Sequence, residues 1–480
     1  MAIQSILAVP VISSFSGGSF LSGGDPTLVS LNPASPGEVV AKAVPVTTEQ
    51  ADATIDAANS AQAKWAALPG PARAEFLYKW ADQIQARSAD MALIVAREVG
   101  KPIGEAKGEV GRCVAILRYY AGEAVRDIGQ VIPGLTPGSL QYSLRSPLGV
   151  VGLITPWNFP VAIPLWKAAP ALACGNTVVH KPAETSVLCA TLLAETASAA
   201  GLPEGVFNVL LGDGPLIGES LFSHKHIKAI SFTGSAKVGS IVAERCAKRN
   251  LKFQTEMGGK NAGIVLPDAD LKQAAALVAG GAMRFAGQKC TATSRVIVHQ
   301  AVRDTFQAEL IAAIEALKVS DPLDAACAVG PVITETSLAR ITKALAHAGA
   351  PAYKGSIPSG GYYVGPSLYV DVERDSILAK EELFGPVLAL MVADDFDHAI
   401  DLANDVEFGL SASLFTKDIA SALKYAARIE AGLVRVNADT TGVDPHAPFG
   451  GVKGSSSGTR EQGPAAKDFY TEIKTVQINP

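Results

Sequence analysis

The chain has 480 residues, 48% of them hydrophobic and 18% charged, with a net charge of −5. That length exceeds one ordinary core and predicts two or three domains, and so low a charge content predicts surface hidden between subunits. The acidic balance, without any long Lys/Arg cluster, excludes an electrostatic footprint for nucleic acid or an anionic membrane, and no uninterrupted apolar run reaches spanning length.

Residues 1–45 are rich in Ser, Gly and Pro with short alternating apolar pieces, which predicts a ragged edge strand or arm. Within them Ala2–Ile12 is mildly apolar, but no basic residue stands in front of it, so it makes a poor signal peptide. From Thr48 the pattern turns to long amphipathic helices. These are predicted over Glu49–Lys64 with Thr48 as N-cap, then Ala72–Arg87, Ala89–Val99 and Ile103–Glu123. A Gly/Pro-rich crossover, Asp127–Gly138, leads into the alternating piece Leu140–Arg145. Beyond it, apolar β-branched runs at Gly149–Thr155, Thr177–His180, Gly205–Leu211 and Ala229–Phe232 alternate with helical stretches. That alternation is the signature of βαβ units and a mostly parallel sheet. A second alternation runs from Ala262–Leu266 to about Leu433, and Phe469–Ile478 reads as a last strand. There is no internal repeat. The prediction is an α/β protein with two nucleotide-fold-like halves.

Several segments carry chemistry. Thr155-Pro156-Trp157-Asn158-Phe159-Pro160 follows a predicted strand, and an Asn amide held between a ring and a proline can donate to a developing oxyanion. Alone, it reads equally as a loop Asn bonding its own backbone. The run Thr177–Glu184 brings Lys181 and Glu184 to the carboxyl end of a strand, where dinucleotides bind in open sheets. An acid there bonds ribose hydroxyls and repels a 2′-phosphate; by themselves the two residues read as a surface ion pair. In Ile230–Gly239 a strand ends, Gly234 turns the chain and a helix, Val238–Arg249, begins. Its N-terminus offers N–H groups to a pyrophosphate, although the spacing is not GxGxxG.

Gln254-Thr255-Glu256-Met257-Gly258-Gly259-Lys260 sets a carboxylate between a strand and a Gly-Gly turn. In a dry pocket such a group rises toward neutral pKa and serves as a base for water or a thiol; in isolation it reads as a solvated loop acid. Gly287-Gln288-Lys289-Cys290-Thr291 follows a helix-like run, Leu271–Phe285. Gly287 permits a tight turn that bares the thiol, and Lys289 adds the positive potential that a nucleophilic cysteine needs. Taken singly, a cysteine is more often a small buried residue, which is how Cys113, Cys174, Cys189, Cys246 and Cys327 read. The six cysteines are scattered without a CxxC pair. A disulfide framework is thus not expected, and a reducing, cytoplasmic compartment is. No metal site is assigned.

In this order, TPWNFP, HKPAE, FTGS, EMGGK, GQKCT, EELFGPV and APFGG closely resemble the aldehyde dehydrogenase superfamily, from about Asn32 to Thr475. The resemblance implies that Cys290 attacks an aldehyde while Asn158 and the Cys290 backbone N–H hold the oxyanion. Hydride passes to a nicotinamide, and Glu256 activates the water that hydrolyses the resulting thioester. Lys181 and Glu184 hold the adenosine ribose, Gly234 and Ser235 the pyrophosphate, and Glu382 the nicotinamide ribose. Trp157 and Phe384 pack near the cofactor, whose contacts extend to Ile154, Thr155, Pro156, Ala183, Gly214, Phe232, Thr233, Val238, Met257 and Gly258. Lys167 and Glu461 match positions that handle protons. Glu184 favours NAD over NADP, and the presence of Glu256 favours hydrolysis over acyl transfer to coenzyme A.

The segments LRYYAGEA, MRFAGQKCTATSRVIV, AGLVRVNADTTGV and KGSSSGTREQGPAAKDF resemble the bacterial subgroup that contains 2-oxoglutarate semialdehyde (2,5-dioxopentanoate) dehydrogenases. Arg112 and Arg284 fall where many family members carry apolar channel residues, and two guanidinium groups there select a substrate with a distal carboxylate. The competing reading pairs either Arg with Glu105, Glu109 or Asp439; Arg435 is a third, more structural candidate. Trp166, Lys289 and Phe449 complete the substrate side. Two departures stand out: Glu184 replaces a neutral residue of some subgroup members, and SGGSFLSGGDP stands in place of the usual aromatic N-terminal strand. A rival within the class is an aromatic aldehyde dehydrogenase with a funnel of Ile163, Trp166, Phe285 and Phe449. A rival outside it, a non-catalytic binding protein, expects loss of Cys290, Glu256 or Asn158, and all three are present.

The architecture so implied is a Rossmann-like cofactor domain (residues 1–124 and 148–255), a catalytic domain (256–463) and an oligomerisation hairpin (125–147 with 464–480). A homodimer or homotetramer is expected.

Overall fold

The computed structural model describes residues 9–126 and 128–480; most of the N-terminal stretch weighed as a leader, and Asp127 at the head of the crossover, lie outside them. Among the described residues, one sheet has eight strands. In spatial order they are Ser456–Ser457, Lys252–Glu256, Ile227–Thr233, Val150–Ile154, Thr177–Lys181, Phe207–Val209, Phe15–Ser16 and Ser19–Phe20. The five central strands run parallel, and both edges are closed by antiparallel pairs. Val150, Val151, Leu153, Val178 and Val179 are buried, because helices cover both faces of a parallel sheet.

Gly70–Ala86, Ser88–Val99 and Ile103–Glu123 pack on one face of this sheet, and Thr48–Ala67 buries Ala51, Ile55 and Ala58 against the other; all four lie close to their predicted spans. One cap differs: Thr47 rather than Thr48 is the N-cap, in a reciprocal capping box with Gln50. The N-terminal segment is also more ordered than a ragged arm. Val11–Ile12, Ser35–Ala43 and Leu28–Asn32 form a sheet of their own, and Phe15–Ser16 extends the large one.

The second sheet runs Tyr353–Lys354, Ser367–Tyr369, Val387–Ala393, Arg295–His299, Ala262–Val265, Ser411–Phe415 and Leu433–Val436, parallel except at its first edge. A further, antiparallel, sheet joins Thr471–Ile478 to Leu140–Pro147 and Val131–Ile132. Its apolar residues Val131, Leu140, Ile473 and Ile478 are exposed. Among the described residues no helix is long and apolar enough to cross a membrane.

In the large sheet the strand order reverses at Val150–Ile154: the next strand in sequence lies on one side, and Ile227–Thr233 on the other. Ligands of open α/β sheets bind at the carboxyl ends of the strands flanking such a reversal. Here those ends are Thr155–Asn158 and Thr233–Ser235.

Candidate active site

At that reversal a cavity of about 400 Å³ opens between the two large sheets. Pro156, Trp157, Asn158, Thr233, Gly234, Ser235, Met257, Gly258, Glu382 and Phe384 line it together with Cys290. The joint from strand to helix is built for close approach. Ser235 caps the helix Ala236–Lys248 by accepting from the Val238 N–H, and a Cβ on Gly234 would strike the Phe232 ring at 2.5 Å. Farther along the same sheet edge, Lys181 Nζ donates to Glu184 Oε1 at 2.6 Å. Gly214 faces that pair: a Cβ there would lie 3.4 Å from Glu184 Oε1. Ile154 ends its strand between these two places, and Thr155 Oγ1 bonds His180 at 2.8 Å. Ala183 is half-buried beside Glu184. The buried Thr233 hydroxyl has no protein partner. A helix N-terminus, a Lys–Glu pair farther along the same sheet edge and an unsatisfied hydroxyl fit a dinucleotide.

The loop that carries Cys290 is held at several points. The helix Leu271–Met283 stops earlier than predicted, and Phe285, Ala286 and Gly287 take left-handed backbone angles (φ 54°, 51° and 66°). This tight spiral carries the chain to Cys290, which is half-buried at the cavity wall. Gln288 fastens it through its side chain to the Pro331 carbonyl (3.1 Å) and the Ile333 N–H (2.9 Å). Asn261 Nδ2 donates to the Cys290 carbonyl at 2.8 Å. Asn158 Nδ2 donates to the Gln288 carbonyl at 3.0 Å. That bond uses one amide hydrogen and leaves the other free.

Charge around the sulfur runs opposite to the expectation from the sequence. Lys289 pairs with Glu105 at 2.9 Å instead of lowering the thiol. Burial, then Glu382 and Glu256, push the Cys290 thiol up to about 12. Glu382 itself is raised to about 7 by burial; it accepts from the Gly259 N–H at 3.0 Å, and a Cβ on Gly258 would overlap it at 2.0 Å.

Glu256 is buried at the end of its strand. Burial first, then the neighbouring Glu461, hold its carboxyl well above the usual carboxylate range. Glu461 forms a buried ion pair with Lys167 and also accepts from Ser231 (3.2 Å) and Gln254 (3.1 Å). Lys167 donates to Ser231 at 2.8 Å. Glu256 and the buried ion pair thus share one polar pocket.

On the substrate side the structure separates the candidates. Trp166 and Phe449 are buried against each other, ring centres 5.5 Å apart, and neither lines the cavity. Of the aromatic-funnel set only Ile163 lines it. Arg112 is half-buried and Arg284 exposed; like Lys289 they lie off the cavity lining, and among the described residues neither Arg has a hydrogen-bond or ion-pair partner. The acids that might have neutralised them are occupied elsewhere: Glu105 by Lys289, Glu109 by Lys101, and Asp439 by the Thr441 hydroxyl and N–H. Arg435 donates to the Gly442 carbonyl.

Sequence reading missed several neighbours. Ser337 and Arg340 line the cavity from the amphipathic helix Glu335–Leu345, and Arg340 donates to the Leu383 carbonyl at 2.6 Å. A Ser and an Arg on a half-exposed helix carry no signal beyond surface polarity. Lys101 and Glu109 form a fully buried pair that grips the oxyanion segment twice. Lys101 Nζ donates to the Asn158 carbonyl (2.7 Å), and Glu109 Oε1 accepts from the Val161 and Ala162 N–H groups (3.0 Å each). Lys101 also lies 3.8 Å from the Phe159 ring centre. Removing one partner of such a pair strands a buried charge. Lys101→Met is therefore expected to cost about 3–5 kcal/mol, seen as a fall of several degrees in the melting midpoint. An unchanged midpoint would show that the pair does not hold this segment.

The model of the aldehyde dehydrogenase family matches residues 20–476. The alpha-ketoglutaric semialdehyde dehydrogenase of Bacillus subtilis (strain 168) is 46% identical over 459 residues, 94% of each chain. The alpha-ketoglutarate semialdehyde dehydrogenase of Haloferax volcanii is 42% identical, covering 93% of this chain and 94% of its own. The crystal structure of an NAD-dependent aldehyde dehydrogenase from Sinorhizobium meliloti superposes with a TM-score of 0.95 at 34% identity, covering 98% of this chain and 95% of that one.

Proposed function

The chain belongs to the aldehyde dehydrogenase family, and from that premise we propose that it oxidises a semialdehyde bearing a distal carboxylate, with NAD as acceptor, through a thioester on Cys290. The Cys290 sulfur attacks the aldehyde carbon, and the free hydrogen of the Asn158 amide meets the charge that develops on oxygen. Gly234, Ser235, Glu382 and Phe384 would hold an oxidised nicotinamide cofactor, which would supply the hydride acceptor. Glu256 then takes a proton from the water that attacks the thioester, and Lys167 with Glu461 carries that proton away. Arg340 holds the loop that presents Glu382. The Lys181–Glu184 pair favours NAD, since a carboxylate at a ribose repels a 2′-phosphate.

The observation that carries this reading is the Asn158–Gln288 bond, which ties the oxyanion donor to the segment bearing the nucleophile. For the substrate it is the pair of unpartnered guanidinium groups, Arg112 and Arg284, together with the names of the relatives above. A charged hydrogen bond to a carboxylate is worth about 1.5–3 kcal/mol. Arg284→Ala and Arg112→Ala are each expected to raise KM for succinic semialdehyde at least about tenfold and to leave benzaldehyde kinetics unaltered. A preference for benzaldehyde, undiminished in Arg284→Ala, would overturn the carboxylate assignment.

The exposed apolar residues of the hairpin sheet, Val131, Leu140, Ile473 and Ile478, support assembly into dimers or tetramers, and the six free cysteines support a cytoplasmic setting. Strand pairing supports a division into a cofactor domain (1–124, 148–255), a catalytic domain (256–463) and the hairpin (125–147, 464–480), although Ser456–Ser457 crosses back to pair with the strand ending at Glu256.

A further inference from the structure

The segment that crosses back places one side chain directly on the base. Ser456 and Glu256 are register partners across an antiparallel pair, and Ser456 Oγ donates to Glu256 Oε2 at 2.6 Å. The same oxygen accepts from the Gly451 N–H at 2.6 Å. With that lone pair engaged, the hydroxyl proton is directed at the carboxylate. The hairpin behind it is pinned as well: Thr255 and Ser457 hydroxyls bond at 2.6 Å, the Met257 N–H donates to the Ser455 carbonyl at 2.8 Å, and Ser455 Oγ accepts from the Gly409 N–H at 2.9 Å. Ser456 is therefore not free to turn away. The other carboxylate oxygen, Oε1, is buried and has no hydrogen-bond partner among the described residues.

We infer that Ser456 is a positioning residue for the deacylation step: it anchors Oε2 of Glu256 and so leaves Oε1 as the oxygen that takes the proton from the hydrolytic water. The inference rests on Glu256 acting as the base toward water. In the step itself, a water O–H bond breaks as Oε1 gains the proton, and the hydroxide oxygen bonds the thioester carbon. The C–S bond then breaks, and the electron pair returns to the Cys290 sulfur. A hydrogen bond that favours the ionised carboxylate makes the base available at lower pH. The titratable and charged groups that act on Glu256 are Glu461, Lys167 and Arg460, and Glu256 in turn acts on the Cys290 thiol. Burial and Glu461 oppose ionisation, while Ser456, Lys167 and Arg460 favour it.

The test uses the full-length enzyme with saturating NAD and succinic semialdehyde. First-turnover NADH formation is followed by stopped flow, and the lifetime of the acyl adduct on Cys290 by rapid-quench mass spectrometry, across pH. Ser456→Ala is expected to keep the first-turnover rate within about twofold and to lengthen the adduct lifetime about tenfold at neutral pH, the effect of one charge-assisted hydrogen bond. Its hydrolysis profile moves to higher pH, and Ser456→Thr restores both. A Ser456→Ala profile superimposable on wild type, or equal slowing of both steps, overturns the inference. Glu256→Gln separates the two ideas. If it lengthens the adduct lifetime and Ser456→Ala does not, only the role of Ser456 fails; if Glu256→Gln leaves the lifetime unchanged, the reading of Glu256 fails with it.

Discussion

Cys290→Ala is expected to lower dehydrogenase turnover by on the order of 10⁴-fold or more, the scale seen when a catalytic nucleophile is deleted, while NAD affinity changes by less than about twofold. The two quantities separate because the cavity has two kinds of wall. Gly234, Ser235, Glu382 and Phe384, the proposed cofactor surface, are fixed by their own strands and loops. The Cys290 side chain accepts no protein hydrogen bond that its loss would leave unmet, and its backbone is held by Asn261 and Gln288. The variant therefore keeps the loop and loses only the sulfur. Titration calorimetry with NAD, beside an assay of NADH production, checks both halves, and turnover persisting in Cys290→Ala would refute thioester catalysis at this site.

Glu256→Gln is expected to slow hydrolysis of the acyl-enzyme by about 10²–10⁴-fold, the usual worth of a positioned general base, and to slow the first turnover far less. The sign of the pH dependence follows from burial. A carboxyl held above its ordinary value is protonated, and inactive as a base, below that value. Hydrolysis by the wild type thus climbs as pH rises through this raised value, and Glu256→Gln flattens the climb. Stopped-flow traces that show equal slowing of both steps would mean that Glu256 acts on the thiol as much as on water. The resting thiol, pushed up to about 12, lends that alternative chemical sense, so the comparison is informative.

Much of this site was legible before any coordinates. The motif segments lie where a strand ends and a turn begins, and the residues that permit the turn are themselves a signal: Gly234 before Ser235, Gly258 and Gly259 after Glu256, Gly287 before Cys290. Periodicity located the helices to within a few residues because each buries one face along its whole length, as Leu77, Trp80, Ala81 and Ile84 show. Local pattern failed in two kinds of place. Left-handed Phe285 and Ala286 have no turn residue to announce them; they are imposed by the fit of the loop against Ala328 and Gly385. And Lys289, adjacent in sequence to the nucleophile, turned out to serve Glu105 on a distant helix.

The order of strands, the places where the chain turns and the presence of a sulfur, an amide and a carboxylate in the required setting are properties of the sequence alone, since turn chemistry and apolar periodicity act over a few residues. The effective charge at Cys290, the freedom of Arg112 and Arg284, the grip of Lys101 and Glu109 on Asn158 and the seat of Ser456 on Glu256 were decided only by tertiary structure. The reason is physical: electrostatic and hydrogen-bond energies depend on through-space separation and desolvation, and neighbours such as Glu256 and Ser456, or Lys167 and Glu461, become adjacent only when far-apart segments fold onto one another.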